Sequence, residues 1–347
     1  MTAPAVENRR QLSAIVLNYN GKDCVHEAIQ SLIDQDLPGL EVIVVDNGST
    51  DGSDLEIESR FGGRVRLIRA GHNRGFGAGN NLGMQASPAR DVLLLNQDAV
   101  AEPAFAREMS VAANRDPRVG MVAAKVLQYD RRDVIDTVGH LLYPDGLNRG
   151  RGRLEKDRGQ YDECATTLFP SGAAALYRRA MLDEIGDFDE RFFLYGDDAE
   201  LGMRGLLSGW RCALAPRAIA YHRYSHSAGA YSRLKVFYVE RNRVWVLFRV
   251  FPVSLILVSP AFTAVRLALQ AWGALTGRGA AGAFGRAESI GALVALTLRA
   301  YVSALRGIPG ILRDRLRSRR SRRLSTGDFL RLLREYRLGA REVALKE

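Results

Sequence analysis

Leu93–Val100 reads LLLNQDAV. An apolar run long enough for a buried strand stops at Asn96-Gln97-Asp98, three polar side chains ending in a carboxylate. A turn would explain Asn and Asp there, and so would a binding site. The surrounding sequence decides which. Ser13–Leu17 (SAIVL) and Glu41–Val45 (EVIVV) are β-rich runs, Val65–Arg69 is a third, and Val92–Leu95 is the fourth. Helical patterns fall between them, over about Lys22–Ile33, after Thr50, and over about Gly77–Gln85. Strands alternating with helices predict an α/β fold whose mostly parallel sheet is covered on both faces. Ligands of such sheets bind beyond the carboxyl ends of the strands. Those ends here are Asn18-Tyr19-Asn20, Asp46-Asn47-Gly48-Ser49 and Asn96-Gln97-Asp98, all polar. One polar end is a turn; three at the same sheet edge point to a binding rim.

The 347 residues suffice for one large domain, or for one domain with a substantial appendage. A formal net charge of +10 favours an anionic partner: nucleic acid, a phosphorylated substrate or acidic lipid. Cys24, Cys164 and Cys212 are scattered, which argues against a zinc site or a disulfide framework and fits a reducing compartment. The first residues, MTAPAVENRRQ, lack the apolar core of a signal peptide, so the first folded domain is expected in the cytoplasm. Residues 1–10 are expected to be disordered, 11–230 to form the catalytic domain, 231–312 a helical apolar region and 313–347 a basic tail.

Further along, residues 143–161 are rich in glycine and charge and read as a mobile, lid-like loop. Asp197, Asp198 and Glu200 open a helix, where the macrodipole favours negative charge. Arg211–His222 reads as a strand ending in histidine. From Tyr231 the composition turns apolar and aromatic. Sixteen residues separate Arg249 from Arg266, and Pro252 and Pro260 interrupt the stretch, so it falls short of a straight spanning helix. A second apolar stretch, Ile290–Leu298, precedes Arg299, Arg306, Arg313 and the run RDRLRSRRSRR. Amphipathic helices beside a basic run suit an anionic membrane surface. A helical subdomain with a solvated basic tail is the alternative. No nucleic-acid module accompanies the run.

Several of these residue types fit nucleotide and sugar chemistry. Asp46 follows a buried strand, where it can accept hydrogen bonds from a base or ribose; Ser49 or Thr50 with Asp51 equally fits a helix cap. GHNRGFGAGNNLG (Gly71–Gly83) has no GxGxxG register after the first strand, against a dinucleotide site. Its Arg74 can face a diphosphate or be a surface cation. Asp98 suits a divalent metal bridging to phosphate, and His222 can complete that shell or be structural. Asp198 suits a general base for an acceptor hydroxyl, whereas capping explains Asp197 as well.

The string NYNG (Asn18–Gly21), VVDNGSTDGS, NRGFGAGNN, LLLNQDA, FFLYGDDAELGMR and the histidine of AYHRYSHS resembles family 2 glycosyltransferases of GT-A fold, most closely their rhamnosyltransferase-like branch. The resemblance runs from about Leu12 to Tyr238. It implies an inverting, metal-dependent transfer from a nucleoside diphosphate sugar, with dTDP-rhamnose as donor, to a lipid-linked glycan of the bacterial envelope at the cytoplasmic membrane face. It implies that Asn18, Tyr19, Asp46, Arg74 and Asn96 bind the donor nucleotide. It further implies that Asp98 and His222 hold Mg²⁺ or Mn²⁺, and that Asp198, with Asp197 where Glu is usual, supplies the base. Asn96 stands where the first Asp of a DxD element is common, removing one charge from the metal shell. No QxxRW motif follows the base, which argues against a processive polymerase. A non-catalytic sugar-nucleotide-binding relative and a dinucleotide-dependent oxidoreductase are the competing readings.

Overall fold

The computed structural model describes residues 11–223, 232–277 and 290–345; the expected disorder of residues 1–10 lies outside them. The first half alternates as the sequence predicts: β1 (Leu12–Asn18), α1 (Val25–Ile33), β2 (Glu41–Asp46), α2 (Ser53–Phe61), β3 (Arg66–Arg69), α3 (Phe76–Ala86) and β4 (Asp91–Asn96). Strands β3, β2, β1 and β4 are parallel neighbours in that order. Both faces of β1, β2 and β4 are buried, which is why their residues read as apolar runs, whereas β3 (RLIR) lies at the sheet edge and exposes Arg66 and Arg69. The helix after Thr50 is capped by Gly52 rather than by Ser49 or Thr50, while Asp51 Oδ1 accepts from the Ser53 backbone N–H.

Beyond β4 the sheet is mixed. β5 (Ala99–Ala101), α4 (Phe105–Ala113), β6 (Val119–Gln128), β7 (Ile135–Thr137), the hairpin pair β8 (His140–Leu142) and β9 (Asn148–Gly150), β10 (Ala174–Arg178), α5 (Arg179–Ile185), α6 (Asp197–Leu207) and β11 (Arg211–His222) follow. β10 lies antiparallel between β4 and β6 and interrupts the parallel order, which resumes where β11 runs parallel to β6. The chain reaches β10 from the strand-end rim and can only run back across the sheet.

Two registers assemble the rim. β11 pairs antiparallel with β5, setting His222 opposite Ala99, the residue after Asp98. Both β11 and β7 pair with β6, where Leu127 is the partner of Tyr221 and of Ile135, so Asp136 arrives beside His222.

The C-terminal region comprises α7 (Arg233–Val250), α8 (Val253–Thr276), α9 (Ile290–Arg317), α10 (Thr326–Glu335) and α11 (Ala340–Leu345). The sequence reading of a broken apolar stretch does not hold. Pro252 is the N-cap of α8, Pro260 lies inside it, and the helix runs for 24 residues. Arg266 does not interrupt its exposed face, because its side chain points inward and is fully buried. Its guanidinium donates to Asp145 Oδ2 at 2.8 Å and to Glu240 Oε1 at 2.7 Å. Arg243 Nε donates to the same Glu240 at 2.8 Å, and the Tyr301 hydroxyl donates to it at 3.1 Å. This cluster fastens α7, α8 and α9 to the β8–β9 turn. Part of the basic run also serves the fold: Arg322 donates to the carbonyls of Arg249 and Val250. Phe329 packs on Phe251, and the Leu142 N–H donates to the Tyr336 carbonyl.

Candidate active site

The rim borders a cavity of about 740 Å³ whose wall includes Tyr19, Asn96, Asp98, Asp136, His140, Arg153, Asp197, Asp198 and His222. Of the residues singled out from the sequence, Tyr19, Asn96, Asp98, Asp197, Asp198 and His222 therefore meet in one place. Asn18 and Asp46 do not line it. They are buried beneath the rim, where Asn18 Nδ2 donates to Asp46 Oδ1 at 2.9 Å. The other Asp46 oxygen accepts the N–H groups of Gly48 and Ser49. Both residues shape the turn that follows β2. Arg74 stands exposed on the neighbouring loop, outside the cavity wall, with its backbone N–H donating to Asn47 Oδ1 at 3.0 Å.

Gln97, the middle of NQD, has a role the sequence reading did not assign. Its amide clasps the Tyr19 backbone, accepting from the N–H at 2.6 Å and donating to the carbonyl at 3.1 Å. A side chain at Gly21 would collide with this clasp, since a Cβ there would sit 2.8 Å from the Gln97 amide. The end of β1 is thereby locked to the end of β4.

Asp197 and Asp198 are delivered by a strained turn. Phe193 and Tyr195 adopt positive φ angles of 64° and 65°, uncommon for residues with bulky side chains. Asn242 of α7 holds the turn, with its amide nitrogen 2.9 Å from the Phe192 and Leu194 carbonyls and 2.6 Å from that of Tyr195. On the other side, the Phe76 N–H donates to the Phe193 carbonyl at 2.6 Å. That approach explains Gly75, whose φ is +84° and whose Cβ would meet the same carbonyl at 2.3 Å. NRGFG and FLYGDD, far apart in sequence, are one unit in space.

The two aspartates differ sharply. Asp197 is buried, and burial first, then the charge of Asp198, hold its carboxyl well above the usual carboxylate range. Both effects favour its neutral form. Asp198 is less buried, faces the cavity, and accepts the N–H of Ala199 at 2.8 Å and of Gly172 at 3.2 Å. The first donor belongs to the opening turn of α6 and the second to the segment before β10, so the two elements together orient this carboxyl toward the cavity.

His222 Nδ1 donates to Asp136 Oδ2 at 2.8 Å, and its Nε2 lies 3.3 Å from Asp98 Oδ1. The Asn96 amide is 3.5 Å from the same Nε2. Burial alone would lower the His222 pKa; the hydrogen bonds to Asp136 and Asp98 outweigh it and push it up to about 10. Asp136 is held below the carboxylate range although burial opposes this, because His222 and Arg153 outweigh it. Arg153 Nη1 donates to the other Asp136 oxygen at 2.6 Å.

One carboxylate oxygen and one imidazole nitrogen, converging on an open cavity, fit a hard or borderline divalent cation that takes its other ligands from water and phosphate. Among the described residues no group of three or more acidic, histidine or cysteine side chains forms a closed metal cage. The donor set therefore suits a site completed by substrate.

Asp136, His140, Arg153, Gln97 and Asn242 escaped the sequence reading. Asp136 carried one signal, an acid inside the otherwise apolar run VIDTVGHLL. The segment 143–161, expected as a lid-like loop, contains a short strand and side-chain ties to its surroundings, and residues 147–150 and Arg153 line the cavity. β9 pairs with β8, Arg153 is tied to Asp136, and the buried Asp145 is tied to Arg266.

Comparison with known proteins agrees with this geometry. Residues 13–186 match the glycosyl transferase family 2 model. An N-acetylglucosaminyl-diphospho-decaprenol L-rhamnosyltransferase of Mycobacterium tuberculosis is 29% identical over 213 residues, covering 55% of this chain and 68% of its own. The mannosyltransferase PcManGT from Pyrobaculum calidifontis, solved with GDP-Man and Mn²⁺, superposes with a TM-score of 0.52 at 18% identity, covering 89% and 86%. S. aureus TarS 1-349 in complex with UDP gives 0.51 at 17% identity, covering 94% and 91%. These two likenesses show the fold, which is of GT-A type with a mixed sheet. The matched model spans half the chain and includes β1 through β4 and the wall at Asp136, so the chain belongs to glycosyl transferase family 2.

Proposed function

We propose that this chain transfers one sugar, with inversion at C1, from a nucleoside diphosphate donor to the hydroxyl of a lipid-linked glycan at a membrane surface. The observation that carries the reading is Asp198, exposed to the cavity at the start of α6 beside Asp197, whose neutral form is favoured. As the acceptor oxygen forms its bond to C1, the bond from C1 to the diphosphate breaks, and the acceptor proton passes to Asp198. A single displacement needs no enzyme nucleophile. Asp98 and His222 would hold Mg²⁺ or Mn²⁺, which offsets charge on the departing diphosphate. Arg74, on the adjacent loop, adds to that charge compensation. Asp46 and Asn18 form the base-facing turn, and Tyr19 and Asn96 complete the nucleotide side of the cavity.

The likeness to an L-rhamnosyltransferase supports dTDP-rhamnose as donor and a polyprenyl-diphosphate-linked acceptor in envelope polysaccharide synthesis. The C-terminal helices support the membrane. Two of them, Val253–Thr276 and Gly291–Ser321, are long and apolar enough to cross one by length and composition. Each packs one side on the protein, and the other exposes Leu257, Leu275, Leu298 and Leu305. Arg299, Arg306, Arg313, Arg319 and Arg320 are exposed on or just beyond α9. An apolar face with flanking arginines suits helices lying in the anionic cytoplasmic leaflet.

The test incubates the full chain with a polyprenyl-diphosphate-linked acceptor, Mg²⁺ or Mn²⁺, and a panel of nucleotide sugars. The expected outcome is one added sugar of inverted anomeric configuration, fastest with dTDP-rhamnose. Retained configuration would overturn the mechanism. Donor binding without turnover across the panel would favour a non-catalytic binding protein.

A further inference from the structure

We propose that Asp136 is the positioning residue for the divalent cation at Asp98 and His222, and that it makes up for the carboxylate missing at Asn96. The inference rests on the metal-dependent transfer proposed above.

Asp136 is buried at 5% exposure, and its two oxygens are divided between two partners. Oδ1 accepts from Arg153 at 2.6 Å, and Oδ2 accepts from His222 Nδ1 at 2.8 Å. A carboxylate can only accept, so this contact assigns the Nδ1 hydrogen and turns Nε2 toward Asp98 and the cavity. When a cation displaces the Nε2 hydrogen, the remaining hydrogen stays on Nδ1 against Asp136 and Nε2 offers its lone pair; without Asp136 the neutral ring is free to keep its hydrogen on Nε2 instead. Metal-bound histidines are commonly oriented in this way, and removing the orienting partner typically costs about 10–100-fold in metal affinity.

A structural ion pair with Arg153 alone would not require the second oxygen to face the histidine. The register of β7 and β11 on β6 brings the pair together, while Arg153, from the wall after β9, holds Asp136 from behind. Charge gives the contact a further role. Asp98 is the one carboxylate of the NQD element, because Asn96 is neutral. A dication held by one carboxylate and one neutral imidazole is under-compensated. Asp136, in contact with the ring and shielded from water, makes that imidazole a stronger donor; Arg153 offsets part of its charge without displacing it.

The experiment measures Mn²⁺ affinity by the EPR signal of free Mn²⁺, with dTDP or UDP present, on the full-length wild type, Asp136→Asn, Asp136→Glu and the double variant Asp136→Asn/Asn96→Asp. Metal-free nucleotide binding and melting temperature are recorded alongside. Asp136→Asn is expected to weaken Mn²⁺ about 10–100-fold while metal-free nucleotide binding holds. Adding Asn96→Asp should recover part of the loss. Mn²⁺ affinity within twofold of wild type in Asp136→Asn overturns the assignment. Should that variant not fold, Asp136→Glu decides. It keeps the charge facing Arg153 but shifts the oxygen by one methylene, and unchanged Mn²⁺ affinity there overturns the assignment equally. A wild type that binds no Mn²⁺ overturns the metal-dependent reading itself and this inference with it.

Discussion

Two clusters of buried charge lie on either side of the β8–β9 hairpin, and they are built on opposite terms. Asp145, Glu240, Arg243 and Arg266 balance two acids against two guanidiniums and are buried between α7, α8 and the hairpin turn, with Arg243 alone reaching the cavity wall. Burial would raise the Glu240 pKa, yet Arg266 and Arg243 together pull it down to about 2. The second cluster lines the cavity with Asp98 and Asp136 on His222, Arg153 behind Asp136, and Asp197 and Asp198 on the same wall. There Asp197 is pushed toward its neutral form, and His222 is shared between two carboxylates. A buried, balanced cluster holds helices in place. An open, acid-rich one is prepared for a cation and a proton that arrive with substrate.

The contrast is breakable, starting with the largest effect. Asp198→Asn keeps the shape of the cavity but removes its base, and transfer is expected to fall by about 10²–10⁴-fold with donor affinity nearly intact. Turnover at the wild-type rate, measured with donor and acceptor saturating, would remove Asp198 from the mechanism. In the balanced cluster, Arg266→Ala removes one of the two cations and leaves Arg243 alone to face both buried acids, Asp145 and Glu240. Breaking a buried pair in this way costs roughly 3–5 kcal/mol, visible as a lowered denaturation midpoint. A midpoint unchanged from wild type would mean that the cluster does not secure the helices. The smallest effect concerns what those helices present to solvent. Leu257→Glu with Leu305→Glu changes two exposed side chains, each worth about 1.5–3 kcal/mol when buried in an apolar phase. The double variant should lose sedimentation with anionic vesicles while its melting temperature holds; retained sedimentation would argue against a membrane-facing surface.

Cutting the chain at Tyr231 would be a poor probe of membrane attachment. Asn242 and Arg241, from α7, hold the Phe192–Tyr195 turn that presents Asp197 and Asp198, so removing α7 would dismantle the cavity as well. The region that reads as an appendage in sequence is part of the site in three dimensions.

Much of the first half was legible. β1, β2 and β4 announce themselves because each is a short apolar run buried on both faces that ends in polar residues at the same rim; β3, at the sheet edge, carries only Leu67 and Ile68 between arginines. The polar stop at Asn96-Gln97-Asp98 divides into three tasks: Asn96 and Asp98 face the cavity beside His222, while Gln97 clasps Tyr19. The helical half was misread at Pro260, because a proline inside a helix costs stability that packing against the protein can offset, and packing leaves no local mark.

Local order in this protein followed from its sequence alone: alternating strands and helices, polar strand ends, an acid pair at a helix start, and arginines beside apolar helices. Each of these is a pattern over neighbouring residues, set by the periodicity of strand and helix. Tertiary structure alone decided which charges meet. His222 and Asp136 are 86 residues apart, and Arg266 and Asp145 are 121 apart. Contacts across such separations depend on sheet register and helix docking, which no short stretch encodes. The same type of side chain, a buried acid facing a cation, became a fastening in one place and a candidate metal support in the other.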